Sequence, residues 1–249
     1  MWYTEAMTSL HHHPEDESLI CINVPKEVGD RDPHIIEQLV DGAKVNQRAT
    51  RIATEFDLGL KFLRKYPKSV TIYGSARFDH ENPHYKHARA LGQRLAKLGY
   101  AVITGGGPGI MEAANRGAKE AGGDSIGLNI ELPREQSLNE YTTDTLSFYY
   151  FFSRKTALSF SAESYIYYPG GFGTLDEFFE IITLIQTKKI REIPIILVGS
   201  DFWKPLEKFI IEECIQKHGA VSPYDTELYT ITDDHEEILR IVQNAKVRT

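Results

Sequence analysis

Short apolar runs alternate with longer amphipathic stretches through most of the chain, and this alternation predicts its secondary structure. The short runs predict seven β-strands, over Ser69–Tyr73, Tyr100–Thr104, Ser125–Ile130, Leu146–Phe152, Ser164–Tyr168, Ile193–Val198 and Leu228–Ile231. The amphipathic stretches predict helices over His84–Leu98, Ile110–Ala121, Arg154–Ala162, Leu175–Thr187, Phe202–Lys217 and Asp234–Ala245. Strands that alternate with helices in this way are typical of right-handed crossovers and a parallel sheet covered on both faces. The pattern therefore predicts an α/β fold, a single doubly wound, Rossmann-like domain with a central parallel sheet over residues 68–249.

The N-terminal part of the chain has a different pattern. Residues 1–33 are polar, with histidines at 11–13 and three prolines, and we expect them to form a tail. From His34 to Tyr66 apolar residues recur at helical spacing, and Pro67 follows. We therefore expect a helical extension over residues 34–67, ahead of the α/β domain.

Charge and composition exclude several classes of function. The chain has 28 Lys and Arg against 35 Asp and Glu, a net charge of −7, which argues against binding to a nucleic-acid backbone. The apolar run Ile193–Val198 is far too short to span a membrane, and the N-terminus lacks the pattern of a secretory signal. Two cysteines far apart in sequence, Cys21 and Cys214, are typical of a reducing compartment, so we expect a cytoplasmic protein.

The histidines do not form a recognisable metal-binding motif. His80, His84 and His87 have partly helical spacing, but no matching cysteine or carboxylate set accompanies them. We therefore expect no metal site, and we also expect that the protein needs no cofactor.

Glycines follow three of the predicted strands. Gly74 follows the first strand, Gly105–Gly109 the second, and Gly170, Gly171 and Gly173 a later one. Ligands of doubly wound sheets bind beyond the carboxyl ends of the strands, where the strand order reverses, and glycine lets backbone approach a ligand closely. These turns therefore indicate a ligand site at one edge of the sheet.

The turn after the second strand partly matches the dinucleotide-binding fingerprint G-x-G-x-x-G. Gly105 and Gly107 fit, but the third position is occupied by Ile110, while Glu131 lies at about the distance of a ribose-binding carboxylate. The hypothesis that the protein is an NAD-dependent oxidoreductase rests only on this partial match. The P-loop motif is absent from the sequence.

The turn over Pro169–Glu177 is more informative. It places three glycines and Thr174 at a strand-to-helix junction, where consecutive backbone N–H groups and the helix dipole favour a phosphate. The same residues permit another interpretation, because Thr174-x-x-Glu177 has the spacing of a capping box that satisfies the helix's own N–H groups. A carboxylate engaged in capping is not available to a substrate, and the spacing alone does not decide between the two roles.

The same nonapeptide, P-G-G-F-G-T-L-D-E, resembles the P-G-G-x-G-T-x-x-E signature of the LOG ("lonely guy") family, whose members are often mislabelled as lysine decarboxylases. The resemblance extends over about residues 69–245 and includes Gly74–Arg77, Gly105–Asn115, Ile126–Pro133 and Arg154–Lys155. It implies an N-glycosyl hydrolase that cleaves purine ribonucleoside 5′-monophosphates, of the cytokinin type or AMP, into free base and ribose 5-phosphate. It also implies a homodimer or larger homo-oligomer with the site near a subunit interface.

The resemblance also implies roles for individual residues. Glu177 would stabilise the oxocarbenium-like transition state and activate water, with Arg154 as the second catalytic residue. The substrate-binding positions would be Gly74, Ser75, Gly106, Gly107, Met111, Glu112, Lys155, Gly170, Gly171, Gly173 and Thr174. Three of these have simpler alternatives: Glu112 as an acid that complements the helix dipole, Met111 as a core residue and Lys155 as a supporting charge.

The sequence departs from the family pattern at one place. The segment after Lys155, Thr156–Glu163, is more polar than the family's hydrophobic stretch. If this helix lines the base pocket, the purine substituent that the protein prefers differs from the family's usual one. Another function remains possible for the fold, because molybdenum-cofactor carriers are similar and also use glycine-rich turns for phosphate. Retention of both Glu177 and Arg154 favours the enzyme. A decarboxylase would require a pyridoxal phosphate lysine, and nothing in the sequence marks one.

Overall fold

The structure is a computed structural model that describes residues 42–131 and 138–247, the first four of them by their backbone alone. The predicted tail over 1–33 and the beginning of the predicted extension lie outside the described residues. The chain divides into two compact units, residues 1–54 and 55–249, and of the first unit the described part is helical. The domain boundaries that the sequence suggests at residues 33 and 67 stay a prediction.

Helices and strands alternate as the sequence pattern predicts. The α-helices are α1 (Gly42–Leu63), α2 (Pro83–Lys97), α3 (Ile110–Glu120), α4 (Phe151–Ser159), α5 (Phe172–Gln186), α6 (Ser200–Phe209) and α7 (His235–Asn244). The strands are β1 (Ser69–Tyr73), β2 (Ala101–Thr104), β3 (Ser125–Ile130), β4 (Asp144–Phe148), β5 (Tyr165–Tyr167), β6 (Ile195–Leu197) and β7 (Thr230–Ile231). A π-helical segment, Ile210–Lys217, continues α6, and a 3₁₀ segment, Pro223–Leu228, precedes β7. Within the described part of the chain, no helix is both long and apolar enough to cross a membrane.

The seven strands form one parallel sheet in the order β4-β3-β2-β1-β5-β6-β7. The chain builds outward from β1 to β4, then returns to the other side of β1 and builds outward from β5 to β7. The strand order therefore reverses between β1 and β5, where the carboxyl ends of two neighbouring strands open a crevice. The predicted doubly wound α/β fold is confirmed.

Apolar clusters cover both faces of the sheet. In β1, Val70 and Ile72 point into a cluster that includes side chains of α2, α3 and α7. Tyr73 points into the opposite cluster, with Tyr165, Tyr167 and aromatic side chains of α5 and α6. The strands are buried on both faces because helices lie on both, which explains their near-continuous apolar runs.

Several predicted boundaries differ from the structure, among them those of α5, β4 and α4. Helix α5 begins at Phe172, three residues before the predicted start at Leu175. The prediction starts too late because Phe172, Gly173 and Thr174 show no apolar periodicity. Strand β4 runs over Asp144–Phe148 rather than Leu146–Phe152, and α4 begins at Phe151. β4 is an edge strand with alternating exposure, so it has no continuous apolar run to mark it.

Candidate active site

The three glycine-rich turns meet at the reversal point of the sheet. The Ser75 N–H donates a hydrogen bond to the Pro169 carbonyl (3.0 Å), and the Ser75 carbonyl accepts one from the Ile110 N–H (3.0 Å). Gly109 has a positive φ of 71°, and a Cβ there would lie 2.3 Å from the Ser75 carbonyl oxygen, so the approach requires glycine. Backbone bonds through Ser75 thus join the turns after β1, β2 and β5.

A buried polar network supports the turn after β2. The Thr104 hydroxyl donates to Asn115 Oδ1 (2.6 Å), and the Gly106 N–H donates back to Thr104 Oγ1 (2.9 Å). The Asn139 side-chain amide donates to the carbonyls of Gly106 (3.1 Å) and Gly107 (3.0 Å). Asn115 lies in a motif block of the sequence, whereas Asn139 lies in a polar loop where no sequence signal marks it.

The glycines of this turn pack against the protein's own side chains. A Cβ on Gly105 would lie 2.2 Å from Arg154 Nη2, and one on Gly107 would lie 2.7 Å from Met111 Cε. Gly106 has a φ of 73°, and a Cβ there would lie 2.8 Å from Leu138 Cδ1. The roles of Gly106 and Gly107 in substrate binding stay a prediction, because protein contacts alone account for glycine at these positions.

The turn after β5 has a different environment. Gly171 and Gly173 are exposed, and a Cβ on either would meet no atom within 4 Å. Among the described residues, no acceptor pairs with the N–H groups of Phe172 and Gly173 at the start of α5. Gly170 differs, because a Cβ there would lie 2.1 Å from the hydroxyl oxygen of the buried Thr174. Free N–H groups at an open helix N-terminus form a site suited to an anion.

The capping-box interpretation of Thr174 and Glu177 is wrong. The N-cap of α5 is Gly171, and no side chain hydrogen-bonds to the helix end. Thr174 is therefore the third helical residue and Glu177 the sixth, beyond the reach of the first free N–H groups. The earlier start of α5 removes the structural role that competed with a chemical role for Glu177.

Glu177 is a buried carboxyl group, with 7% of its surface exposed. Within the described part of the chain, its Oε2 has no hydrogen-bond partner. Burial raises its pKa to about 7, although the positive charges of Lys155 and Arg154 act in the opposite direction. Such a group changes its protonation state near neutral pH, which is the property that a general base or acid needs.

Arg154 packs directly against the turn after β2. Its Nε donates to the Leu128 carbonyl (2.7 Å), and its Nη2 approaches the Gly105 carbonyl (3.5 Å). Burial lowers its pKa, while the nearby Glu177 carboxylate acts to raise it. Because an arginine stays charged in proteins, the two carbonyls hold a cation close to Glu177.

Lys155 and Glu112 have partners of their own. Lys155 Nζ forms ion pairs with Asp176 (2.7 Å) and Glu180 (3.4 Å) on α5, as the supporting-charge alternative expects. Glu112, in the first turn of α3, accepts a 2.6 Å hydrogen bond from the Tyr85 hydroxyl of α2. Within the described ranges, no hydrogen bond or ion pair joins Glu112 to Arg154 or Glu177. The substrate-binding roles of both residues stay predictions.

The sequence reasoning did not single out Tyr73, the last residue of β1. Its side chain is buried between the sheet and the α4–α5 face, and it interacts electrostatically with both Glu177 and Arg154. Its position directly before Gly74, at the carboxyl end of a central strand, was the available signal.

No group of three His, Cys, Asp or Glu in residues 42–131 and 138–247 is arranged to hold a metal ion.

Solved structures with the same fold include two molybdenum-cofactor proteins. The molybdenum cofactor binding protein of Rippkaea orientalis is 24% identical with a TM-score of 0.52, over 70% of this chain and 93% of that one. The molybdenum cofactor carrier protein of Chlamydomonas reinhardtii is 23% identical with a TM-score of 0.52, over 71% and 96%. At identities of 23–24%, this similarity establishes only that the proteins share a fold.

Curated relatives are named as nucleotide-cleaving enzymes. The chain is 32% identical over 136 residues to a probable cytokinin riboside 5′-monophosphate phosphoribohydrolase of Oryza sativa subsp. japonica, covering 53% of this chain and 54% of that protein. It is 23% identical over 186 residues to the cytokinin riboside 5′-monophosphate phosphoribohydrolase of Rhodococcoides fascians, covering 73% and 92%. It is 26% identical over 191 residues to the pyrimidine/purine nucleotide 5′-monophosphate nucleosidase of Escherichia coli (strain K12), covering 70% and 40%.

The chain thus spans about half of the rice protein and less than half of the bacterial nucleosidase, but nearly all of the Rhodococcoides enzyme. A family model described as "Possible lysine decarboxylase" matches residues 111–242, which is more than half of the 249 residues. This match and the signature at Pro169–Glu177 place the chain in the LOG family.

Proposed function

We propose that this protein hydrolyses the N-glycosidic bond of purine ribonucleoside 5′-monophosphates, with AMP or an N6-substituted adenosine monophosphate as substrate. One molecule of nucleotide and one of water would give the free base and ribose 5-phosphate. The observation that carries this proposal is the buried Glu177 carboxyl group, whose pKa is about 7, beside the open N-terminus of α5. The names of the relatives, phosphoribohydrolase and nucleosidase, support the same reaction.

The 5′-phosphate would bind at the start of α5. The N–H groups of Phe172 and Gly173, with the helix dipole behind them, would donate to its oxygens, and the Thr174 hydroxyl would add a further donor. This site depends on backbone groups, so a net charge of −7 does not oppose it. Glu177 lies one helical turn further along, which would place it beside the ribose.

The chemistry would use Glu177 in its ionised form. As the bond between C1′ and the base nitrogen breaks, its electron pair leaves with the base and positive charge develops on the ribose. The Glu177 carboxylate would stabilise that charge and accept a proton from the water whose oxygen bonds to C1′. Arg154 would add a charged donor for the phosphate or the departing base, which takes up a proton on release.

We also propose that the protein is a homodimer or larger homo-oligomer and that it is cytoplasmic. Aromatic side chains on α4 and α5 are exposed close to the site, above all Phe172, with 93% of its surface exposed, and also Phe151 and Phe152. Exposed apolar groups concentrated beside a site support an interface with a second copy, in a homodimer or larger assembly. The widely spaced cysteines support a cytoplasmic location.

The alternatives have less support. A molybdenum-cofactor carrier shares the fold, but carrying a ligand does not require a buried carboxyl group that titrates near neutrality. Protein contacts account for Gly105 and Gly107, which weakens the case for a dinucleotide. For a decarboxylase, a Schiff-base lysine needs a neutral amine, whereas ion pairing with Asp176 raises the pKa of Lys155 above its ordinary value.

The proposal is tested by incubating the protein with AMP, GMP, CMP and an N6-substituted adenosine monophosphate, followed by chromatography for free base. We expect base from at least one purine nucleotide, and about 10²–10⁴-fold less from a Glu177→Gln control. Folded protein that binds nucleotide and releases no base from any of the four would refute hydrolysis and favour a carrier.

A further inference from the structure

Several buried polar side-chain atoms have no hydrogen-bond partner among the described residues. Such atoms are rare in proteins, and each calls for an explanation. In the described part of the chain they are Tyr73 Oη, Ser153 Oγ, Glu177 Oε2, Tyr229 Oη and His235 Nε2. The first three belong to β1, α4 and α5, and of these α4 also carries Arg154 while α5 carries Glu177 itself.

The Tyr73 ring is part of an aromatic stack that is hydrogen-bonded to the backbone of α5. It stacks on the Tyr167 ring with centroids 4.8 Å apart and an angle of 9° between the planes, and on the Tyr165 ring at 6.4 Å. The Tyr167 hydroxyl in turn reaches the Glu177 carbonyl oxygen at 3.3 Å. The stack therefore fixes the position of the Tyr73 hydroxyl relative to the backbone of α5.

The Tyr73 hydroxyl can act only as a neutral group. Burial raises its pKa well above 10, and the Glu177 carboxylate acts in the same direction, while Arg154 acts in the opposite one. It therefore keeps its proton at any working pH and offers one hydrogen-bond donor. The ionised Glu177 carboxylate offers only acceptors, and a water molecule can bond to both groups at once.

We propose that Tyr73 is a third side chain of the hydrolytic centre, whose hydroxyl holds the attacking water against Glu177. The Tyr73 O–H would donate to the water oxygen, and the water would donate one proton to Glu177 Oε2. Its remaining lone pair would then face C1′. The partners that both buried atoms lack would thus be supplied by a reactant. This inference rests on the proposed hydrolysis.

A Tyr73→Phe variant separates this role from a structural one. The substitution keeps the ring stack and removes a buried hydroxyl that has no hydrogen-bond partner in the described part of the chain, so the variant is expected to be at least as stable as the wild type. A Tyr165→Phe variant is the matched control. Tyr165 lies in the same stack, but its hydroxyl donates to the Ser159 carbonyl (2.5 Å), away from the reaction.

The first measurement is base release from AMP by the full-length chain. We expect Tyr73→Phe to lower kcat about 10-fold or more while KM changes by less than about twofold. The Tyr165→Phe control is expected to keep a kcat close to that of the wild type. An unchanged kcat in Tyr73→Phe, with an active wild type, would overturn the proposal.

The second measurement needs no turnover. Infrared titration of the Glu177 carboxyl group, isolated by subtracting the Glu177→Gln spectrum, gives its pKa in the ligand-free protein. The water that Tyr73 holds would donate to the ionised carboxylate, so loss of the Tyr73 hydroxyl is expected to weaken that hydrogen bond and raise the pKa of Glu177 by about 0.5 in Tyr73→Phe, and not in Tyr165→Phe. A wild type that releases no base would refute the proposed hydrolysis, and the titration would still test the link between Tyr73 and Glu177. An unchanged pKa in Tyr73→Phe would overturn it.

Discussion

Two helices begin in glycine-rich turns at the carboxyl edge of the sheet, α3 after Gly105–Gly109 and α5 after Gly170–Gly171. The first turn is filled by the protein itself, because Arg154 and Met111 occupy the space that side chains at Gly105 and Gly107 would need. The second faces open space at Gly171 and Gly173. Glycines alone therefore do not identify a ligand site. Free N–H groups with room in front of them do, and these occur at α5.

The acidic residues of the two helices differ in the same way. Glu112 of α3 is bound by the Tyr85 hydroxyl at 2.6 Å, whereas the Oε2 of Glu177 in α5 has no partner among the described residues. A carboxyl group that is buried and unpaired lowers stability, so its presence beside an open helix N-terminus points to chemistry. Four predictions test this contrast.

The largest effect is expected from Glu177→Gln. The amide has nearly the same shape but cannot accept a proton from water, so we expect base release from AMP to fall by about 10²–10⁴-fold while nucleotide still binds. Glu180→Gln, one turn further along α5, is the control and should stay active. Equal losses in the two variants would show that general disturbance of α5, and not the Glu177 carboxylate, controls turnover.

The glycines themselves provide the next test. Gly109→Ala puts a Cβ 2.3 Å from the Ser75 carbonyl at a φ of 71°, and we expect it to destabilise the fold by about 2–4 kcal/mol in urea unfolding. Gly171→Ala adds a methyl group to open space at a φ of −89°, so stability should change by less than about 1 kcal/mol.

The two variants should also differ in their kinetics. The Gly171→Ala methyl group would occupy the proposed phosphate site, so its KM for AMP should rise with little loss of stability. A KM equal to that of the wild type would place the phosphate elsewhere.

The smallest effect concerns the stability of the fold as a function of pH. The pKa of Glu177 is raised in the folded state from its ordinary value of 4.5 to about 7, so the folded state binds the proton more tightly than the unfolded state. Stability is therefore lost as pH rises from about 4.5 towards 7. Glu177→Gln removes this loss and should be more stable than the wild type at pH 8, by at most about 3 kcal/mol, with little difference at pH 4. Destabilisation at pH 8 would instead restore a structural role for the carboxylate.

The sequence predicts the fold well where one face or both faces of an element are apolar. β1 and β3 begin and end at the predicted residues, because each is a buried central run between turn residues. The start of α5 was missed because Phe172, Gly173 and Thr174 have no apolar periodicity, and this single error kept the capping alternative open.

The site could be predicted only in part. The motif residues show where the glycine-rich turns lie along the sequence, but which side chains contact them depends on the three-dimensional structure. The sequence cannot show that the space beside Gly105 is taken by Arg154, or that Asn139 supports that turn from a polar loop. Nor does it show that Tyr73 packs on the α5 face of the sheet, where it interacts electrostatically with Glu177. All five residues of β1 are buried, so no exposed residue of the strand distinguishes one face from the other.

The central claim is that the buried Glu177 carboxylate performs the hydrolysis, and the pH dependence of base release from AMP tests it most directly. If the ionised form is required, kcat/KM should rise about tenfold per pH unit on the acid side and level off near the pKa of about 7. A kcat/KM that stays constant from pH 5 to 8 in a folded, active protein would contradict the claim.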